Sequence, residues 1–164
     1  MNSIQGTKRK GVFYPLQSFT KDKDVVFQSI PICIEAGHPS DFEVLHTLAS
    51  MCSQKVYKIN TSQRKKIHLA AVFVNNFVNH LYSIGKDICD TDNIPFEILQ
   101  PLIQETAEKI NTLAPFEAQT GPAKRNDKVT INHHLRSLES QPEYQSIYKQ
   151  LTNSIKNTHG YKKL

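Results

Sequence analysis

Glycine is scarce in this chain and never clustered. The six glycines, at positions 6, 11, 37, 85, 121 and 160, stand alone, so neither a dinucleotide fingerprint nor a P-loop can be written across them. Cysteine is equally sparse: Cys33, Cys52 and Cys89 are odd in number, far apart and set in apolar surroundings. They are expected to be reduced, buried thiols of a cytoplasmic protein, not a disulfide framework or a zinc site. No apolar run reaches the length of a membrane span and no signal-peptide pattern opens the chain, so no membrane association is expected. The Gly-x-Ser-x-Gly nucleophile turn is missing, and no cysteine sits in a basic setting that would activate it. Nucleophilic catalysis has no support. Neither does a metal site, since no two histidines are spaced i, i+4 and the adjacent His133-His134 face different sides of a helix.

What is present suits a globular chain. Its 164 residues are 38% hydrophobic and 21% charged, enough to bury a core of about one domain. Twenty basic residues against 15 acidic ones leave a net charge of +5, with basic clusters at 8–10, 64–66 and 162–163. No nucleic-acid motif accompanies them, so nucleic acid is not an expected partner; phosphate on a small ligand would suit the charge equally.

In chain order, residues 1–10 lack periodicity and are expected to form a mobile arm. Residues 11–19, GVFYPLQSF, are aromatic and β-branched, and Pro15 restricts them to an edge strand or a strand end. The apolar run IPICIEA at 30–36 suits a strand covered on both faces. Ser40-Asp41-Phe42-Glu43 reads as a capping box opening a helix to about Ser53, with Phe42, Leu45, Leu48, Ala49 and Cys52 inward. A third strand covers 56–59. Three short strands make a poor sheet alone, so this portion looks short of neighbours. From Asn60 onward everything reads as helix. Pro95 starts a short turn, a helix follows at 101–112, and Pro115, Gly121 and Pro122 shape a loop with a helical turn near Phe116. A helix over 130–138 is capped by Asn126 or Asp127. Ser140-Gln141-Pro142-Glu143 reads as a second capping box, opening a helix with Tyr144, Ile147, Tyr148, Leu151 and Ile155 inward; the tail after Asn157 is expected to fray.

Two constellations carry candidate chemistry. The long helix over 64–88 places His68, Val72, Asn75 and Asn79 on one stripe and Asn76 and His80 on the next, at about 100° per residue. Buried carboxamides and imidazoles need partners, so the helix either packs into a satisfied polar network or lines a cavity. The second constellation is Thr120-Gly121-Pro122-Ala123-Lys124-Arg125-Asn126-Asp127 with His133 beyond it. Gly and Pro hold this backbone in one shape, presenting Arg125 and Asp127 to a ligand or pairing them across the turn.

With these pieces in view, the chain resembles a bacterial family of Rossmann-like proteins with a C-terminal helical domain of unknown function, related to the phosphogluconate and β-hydroxyacid dehydrogenases. The resemblance rests on GVFYPLQSF, IPICIEA, RKKIHLAAVFVNNFVNHLY at 64–82, PLIQET at 101–106 and TGPAKRND at 120–127 with His133 after it. It implies an α/β remnant followed by a mainly α region: closing strands of a Rossmann-like sheet over 11–60, a helical dimerisation and substrate domain built on one long helix over 61–157, and a tail over 158–164. It further implies a truncated or partial chain, a homodimer, and NAD or NADP as the cofactor of full-length relatives, which this chain alone does not bind. The expected function is the C-terminal part of an NAD(P)-dependent oxidoreductase-like protein, inactive alone; a non-catalytic helical dimerisation or ligand-binding module is the alternative. Many β-hydroxyacid dehydrogenases carry a catalytic lysine three positions before an Asn pair. If Asn75-Asn76 is that pair, the position is Val72, which cannot transfer a proton. His68 is then the candidate acid/base. Asn75, Asn76, Gly121, Pro122, Arg125, Asp127 and His133 are expected to bind substrate, with Arg125 meeting an anionic group.

Overall fold

The computed structural model describes residues 9–160. The rest of the arm expected over 1–10, and the last residues of the expected tail, lie outside them. Within that arm, Arg9 pairs with Asp41, and the Lys10 carbonyl accepts the Gly37 N–H at 3.1 Å. The chain divides into two compact units, Met1–Asn79 and His80–Leu164.

The first unit is built on three strands. β1 (Gly11–Pro15) pairs antiparallel with β2 (Ile32–Ala36), which pairs in parallel with β3 (Val56–Lys58) in the order β1-β2-β3. Pro15 ends β1, consistent with a residue that cannot donate to the ladder. The central strand is buried on both faces, as its apolar run requires: Ile32 and Ile34 are wholly enclosed and Cys33 between them is 3% exposed. The crossover is α1 (Pro39–Cys52). Ile32, Ile34 and Ala49 form the core, with Phe13, Phe42, Leu45, Cys52 and Val56 packed around them. Leu48, expected to face inward, is half exposed. Gly11 is needed for close approach, because a Cβ there would lie 2.6 Å from Leu45 Cδ1.

The capping of α1 differs from expectation. His38, not Ser40, is the N-cap: its side chain accepts from the Ser40 N–H, and Pro39 occupies the first turn. Proline's fixed φ and missing N–H suit that position, so the helix starts before the Ser-x-x-Glu pattern takes effect. The other end is closed by Ser53, whose N–H donates to the Ala49 carbonyl at 2.8 Å and whose Oγ donates to the Ile30 carbonyl at 2.6 Å. This buried hydroxyl is satisfied and ties the helix end to β2.

Residues 61–91 are helical without a break, as α2 (Thr61–Ala71), a π-helical turn (Val72–Phe77) and α3 (Val78–Thr91). Asn60 and Gln63 close a reciprocal capping box at its start. The Glu35 carboxylate on β2 accepts from the Thr61 N–H at 3.0 Å, from the Thr61 hydroxyl at 2.9 Å and from Arg64. A carboxylate at a helix start meets the unpaired amides and the favourable end of the dipole. Burial pushes the Glu35 carboxyl up, but the Arg64 and Thr61 hydrogen bonds outweigh it and hold the group below its ordinary range.

The second unit is all helix after α3: α4 (Gln100–Glu108), α5 (Pro115–Ala118), α6 (Lys128–Ser137) and α7 (Pro142–Thr158). Asp127 caps α6, with Oδ1 accepting the Thr130 N–H at 3.0 Å. The second capping box fails as the first did. Pro142 is at the first turn, Gln141 is the N-cap, and Ser140 lies outside. On α7, Thr152 is buried and Leu151 is 44% exposed, reversing the expected inner face there. Tyr148 packs against α6, where its hydroxyl lies 2.9 Å from His134 Nδ1. The Tyr144 hydroxyl donates to Asp87 at 2.6 Å, which raises the tyrosine's pKa. No helix among the described residues is long and apolar enough to cross a membrane.

Candidate functional site

The turn containing Asn75-Asn76 is wound as a π-helix, a rare geometry that occurs mostly as single turns inside α-helices and often at functional sites. An extra residue in one turn rotates every later side chain by about 100° relative to a regular helix. The stripe drawn through His68, Asn75 and Asn79 on a constant period is therefore not one straight line in the fold. The π turn presents Asn75 and Asn76 together, about two turns beyond His68.

All three line one cavity of about 510 Å³ in the first unit, together with Tyr14, Gln17 and Ser18. That volume lies in the range of small-molecule sites. The Tyr14 hydroxyl is 3.4 Å from His68 Nδ1, a long contact in which the hydroxyl donates when that nitrogen carries no proton. Ile67, Ala70, Ala71, Val72 and Val74 supply much of the remaining wall. His68, Asn75 and Asn76 are exposed, so water satisfies their polar atoms when nothing else does. A polar network sealed in a core is thus not what these residues form. Val72, at the position where the resemblance implies a lysine, lies on this wall.

Tyr14, Gln17 and Ser18 escaped the sequence reading. They stand at and just beyond the carboxyl end of β1, which, because β1 runs antiparallel to β2, lies beside the amino end of the parallel pair β2–β3, so no strand-end rule points to them. Only the packing of β1 against α2 brings Tyr14 opposite His68.

The second set of candidates lies in the second unit. Gly121 has a left-handed φ of 99°, and the Asp127 N–H donates to the Pro122 carbonyl at 2.9 Å, so Gly and Pro do hold this backbone in one shape. The Arg125 guanidinium is exposed. Asp127 is committed to its cap, accepting the Thr130 N–H and, at 2.7 Å, the Thr130 hydroxyl. These bonds, led by the backbone one, hold its pKa below the ordinary value, with the Arg125 charge a smaller contribution. His133 is exposed on α6, its ring 6.2 Å from that of His134.

The described residues do not fit a dinucleotide phosphate cradle. The glycines among them stand singly, at 11, 37, 85, 121 and 160, so no glycine-rich turn brings successive backbone N–H groups up to a pyrophosphate. Nor is there a cluster of three or more metal-ligating side chains among them.

A profile of the domain of unknown function DUF2520 matches residues 30–155. A crystal structure of a "putative NADP oxidoreductase" from Bacteroides fragilis is 44% identical, with a TM-score of 0.91 over 96% of this chain and 61% of that one. A protein from Thermotoga maritima is 21% identical, with a TM-score of 0.74 over 91% of this chain and 61% of its own, and shares the fold. This chain thus spans about 61% of the length of each. No protein of curated function matches it.

Proposed function

Since the chain belongs to the family of the domain of unknown function DUF2520, we propose that it is the substrate-side part of an NAD(P)-dependent oxidoreductase-like protein, inactive alone. The observation that carries this reading is the convergence of His68, Asn75, Asn76 and Tyr14 on one cavity at a π-helical turn. The name of the B. fragilis relative, a "putative NADP oxidoreductase", supports the reaction class. The dinucleotide, in this reading, binds the part of the longer relatives that this chain does not span. In this reading Asn75 and Asn76 orient the substrate by carboxamide hydrogen bonds, and His68, with Tyr14 against Nδ1, exchanges a proton through Nε2. Taken by itself, the second unit offers Arg125, on the loop shaped by Gly121 and Pro122, as a separate contact for an anionic group, with His133 six residues beyond the Asp127 cap. The free cysteines Cys33, Cys52 and Cys89 fit a reducing cytoplasm.

The test joins this chain to the part of the B. fragilis relative that it does not span and follows NADPH oxidation with a panel of ketones and keto acids. The chain alone should show no turnover above background. The joined protein should turn over, and His68→Gln should lower the rate by about 10²- to 10⁴-fold. A rate untouched by His68→Gln would remove that residue from the mechanism.

A second observation favours a role in assembly. Leu69 and Phe73 are each 60% exposed and Phe77 is 49% exposed, with the two phenyl rings edge to face at 5.0 Å. Large apolar side chains on consecutive turns of one helix mark a surface that is covered by a partner, and the proposal is a homodimer through this face. Sedimentation equilibrium should show mass rising from one chain to two with concentration; a single-chain mass throughout would exclude it.

A further inference from the structure

From the cavity's lining we infer that it selects a ligand whose polar end is an uncharged oxygen, an alcohol or a ketone on an apolar body, over a carboxylate or a phosphate ester. The inference rests on the proposed reading of this cavity as a substrate site and names the class of molecule it takes. The polar groups on the wall are the Tyr14 hydroxyl, the Ser18 hydroxyl, the His68 imidazole and the carboxamides of Gln17, Asn75 and Asn76. Every one of them can both donate and accept in its neutral form. Among the described residues, no lysine, arginine, aspartate or glutamate lines the cavity. The nearby guanidinium of Arg64, at the start of the same helix, is committed to Glu35.

That composition discriminates by charge. An anion entering the cavity gives up hydration, and the strong compensation for such a loss is a charge-assisted bond from a fixed cation, which this wall does not hold. A hydroxyl or carbonyl oxygen gives up much less and finds donors and acceptors of its own strength in the carboxamides and the imidazole. The remainder of the wall, Leu16, Ile67, Ala70, Ala71, Val72 and Val74, is aliphatic and suits an apolar body. The net charge of +5 acts on encounter with anions at long range, but it is the wall that decides what stays bound.

The test uses two matched probes, cyclohexanone and cyclohexanecarboxylate, titrated into the isotopically labelled full chain near pH 7.5 and followed by NMR. Cyclohexanone should shift the side-chain amide signals of Asn75 and Asn76 and the ring signals of His68, at least about tenfold more tightly than the carboxylate, a factor worth one power of ten in Kd. Val72→Lys, which places a cation on the wall, should reverse the order of the two probes. A carboxylate that binds these residues as tightly as the ketone overturns the neutral-ligand class while leaving the cavity as a binding site. An unreversed preference in Val72→Lys likewise overturns the charge argument. If neither probe moves the cavity signals at millimolar concentration, both the class and the site reading fail.

Discussion

Truncating Ile34 to alanine is expected to cost about 3 kcal/mol of stability, in the range measured for large-to-small changes at enclosed aliphatic sites. Ile34 is wholly buried on the central strand, and its neighbours in the core are Ile32 and Ala49 with Phe13, Phe42, Leu45, Cys52 and Val56 around them. Those neighbours come from all three strands and α1, so a cavity at this point cannot be closed by moving one side chain. The lost contacts add to the lost transfer free energy. The measurement is the urea midpoint of the full chain by circular dichroism, read on the transition of the first unit. Val44→Ala, on the exposed side of α1 at 67% exposure, serves as the control and should move the midpoint little. Equal shifts for the two variants would contradict this account of the core.

Replacing Arg64 with methionine is expected to have the next largest effect, about 2 kcal/mol at neutral pH, because it leaves the Glu35 carboxylate without its cation. The two side chains are 18% and 15% exposed, so water replaces the lost partner only in part. The effect carries a pH signature. Glu35 titrates below its ordinary value of 4.5 in the folded chain, so the unfolded chain takes up a proton first as pH falls. The stability it supplies is therefore complete above the unfolded value, declines as pH drops through the folded one, and is absent below both. Wild type should lose stability in that acid window, whereas Arg64→Met, already deprived of the pairing, should lose less there. The difference between the two midpoints thus shrinks toward low pH. A difference independent of pH would show that the loss comes from packing of the arginine stem and not from the ion pair.

Much of the architecture was legible before any coordinates. Pro15 closes the first strand, the nearly continuous apolar run at 30–36 announces a strand covered on both faces, and Pro95, Pro115 and Gly121 mark the breaks between helices. Both errors at helix starts share one cause. A Ser-x-x-Glu pattern points to caps at Ser40 and Ser140, while Pro39, just before the first serine, and Pro142, two residues after the second, set the first turns and place the caps at His38 and Gln141. The errors of facing, at Leu48 and along Leu151-Thr152, are of another kind. Periodicity locates an apolar stripe, but what a stripe meets depends on elements distant in sequence.

The candidate site divides along the same line. His68, Asn75 and Asn76 stood out in the sequence because polar side chains on an apolar helix require an explanation from hydrogen bonding alone. Asp127 stood out as well, and its role as cap is local chemistry within four residues of chain. The sequence by itself thus determined which stretches are strands and helices, and which side chains are chemically conspicuous, since turns and periodicity act through neighbours in the chain; the caps at His38 and Gln141 it did not determine. Only the tertiary structure decided that the helix carries a π turn, that Tyr14 from β1 stands against His68, and that the polar residues open onto a cavity instead of closing a core. The last two come from packing a strand end against a helix more than fifty residues away (residues 14 and 68), a contact no local pattern records.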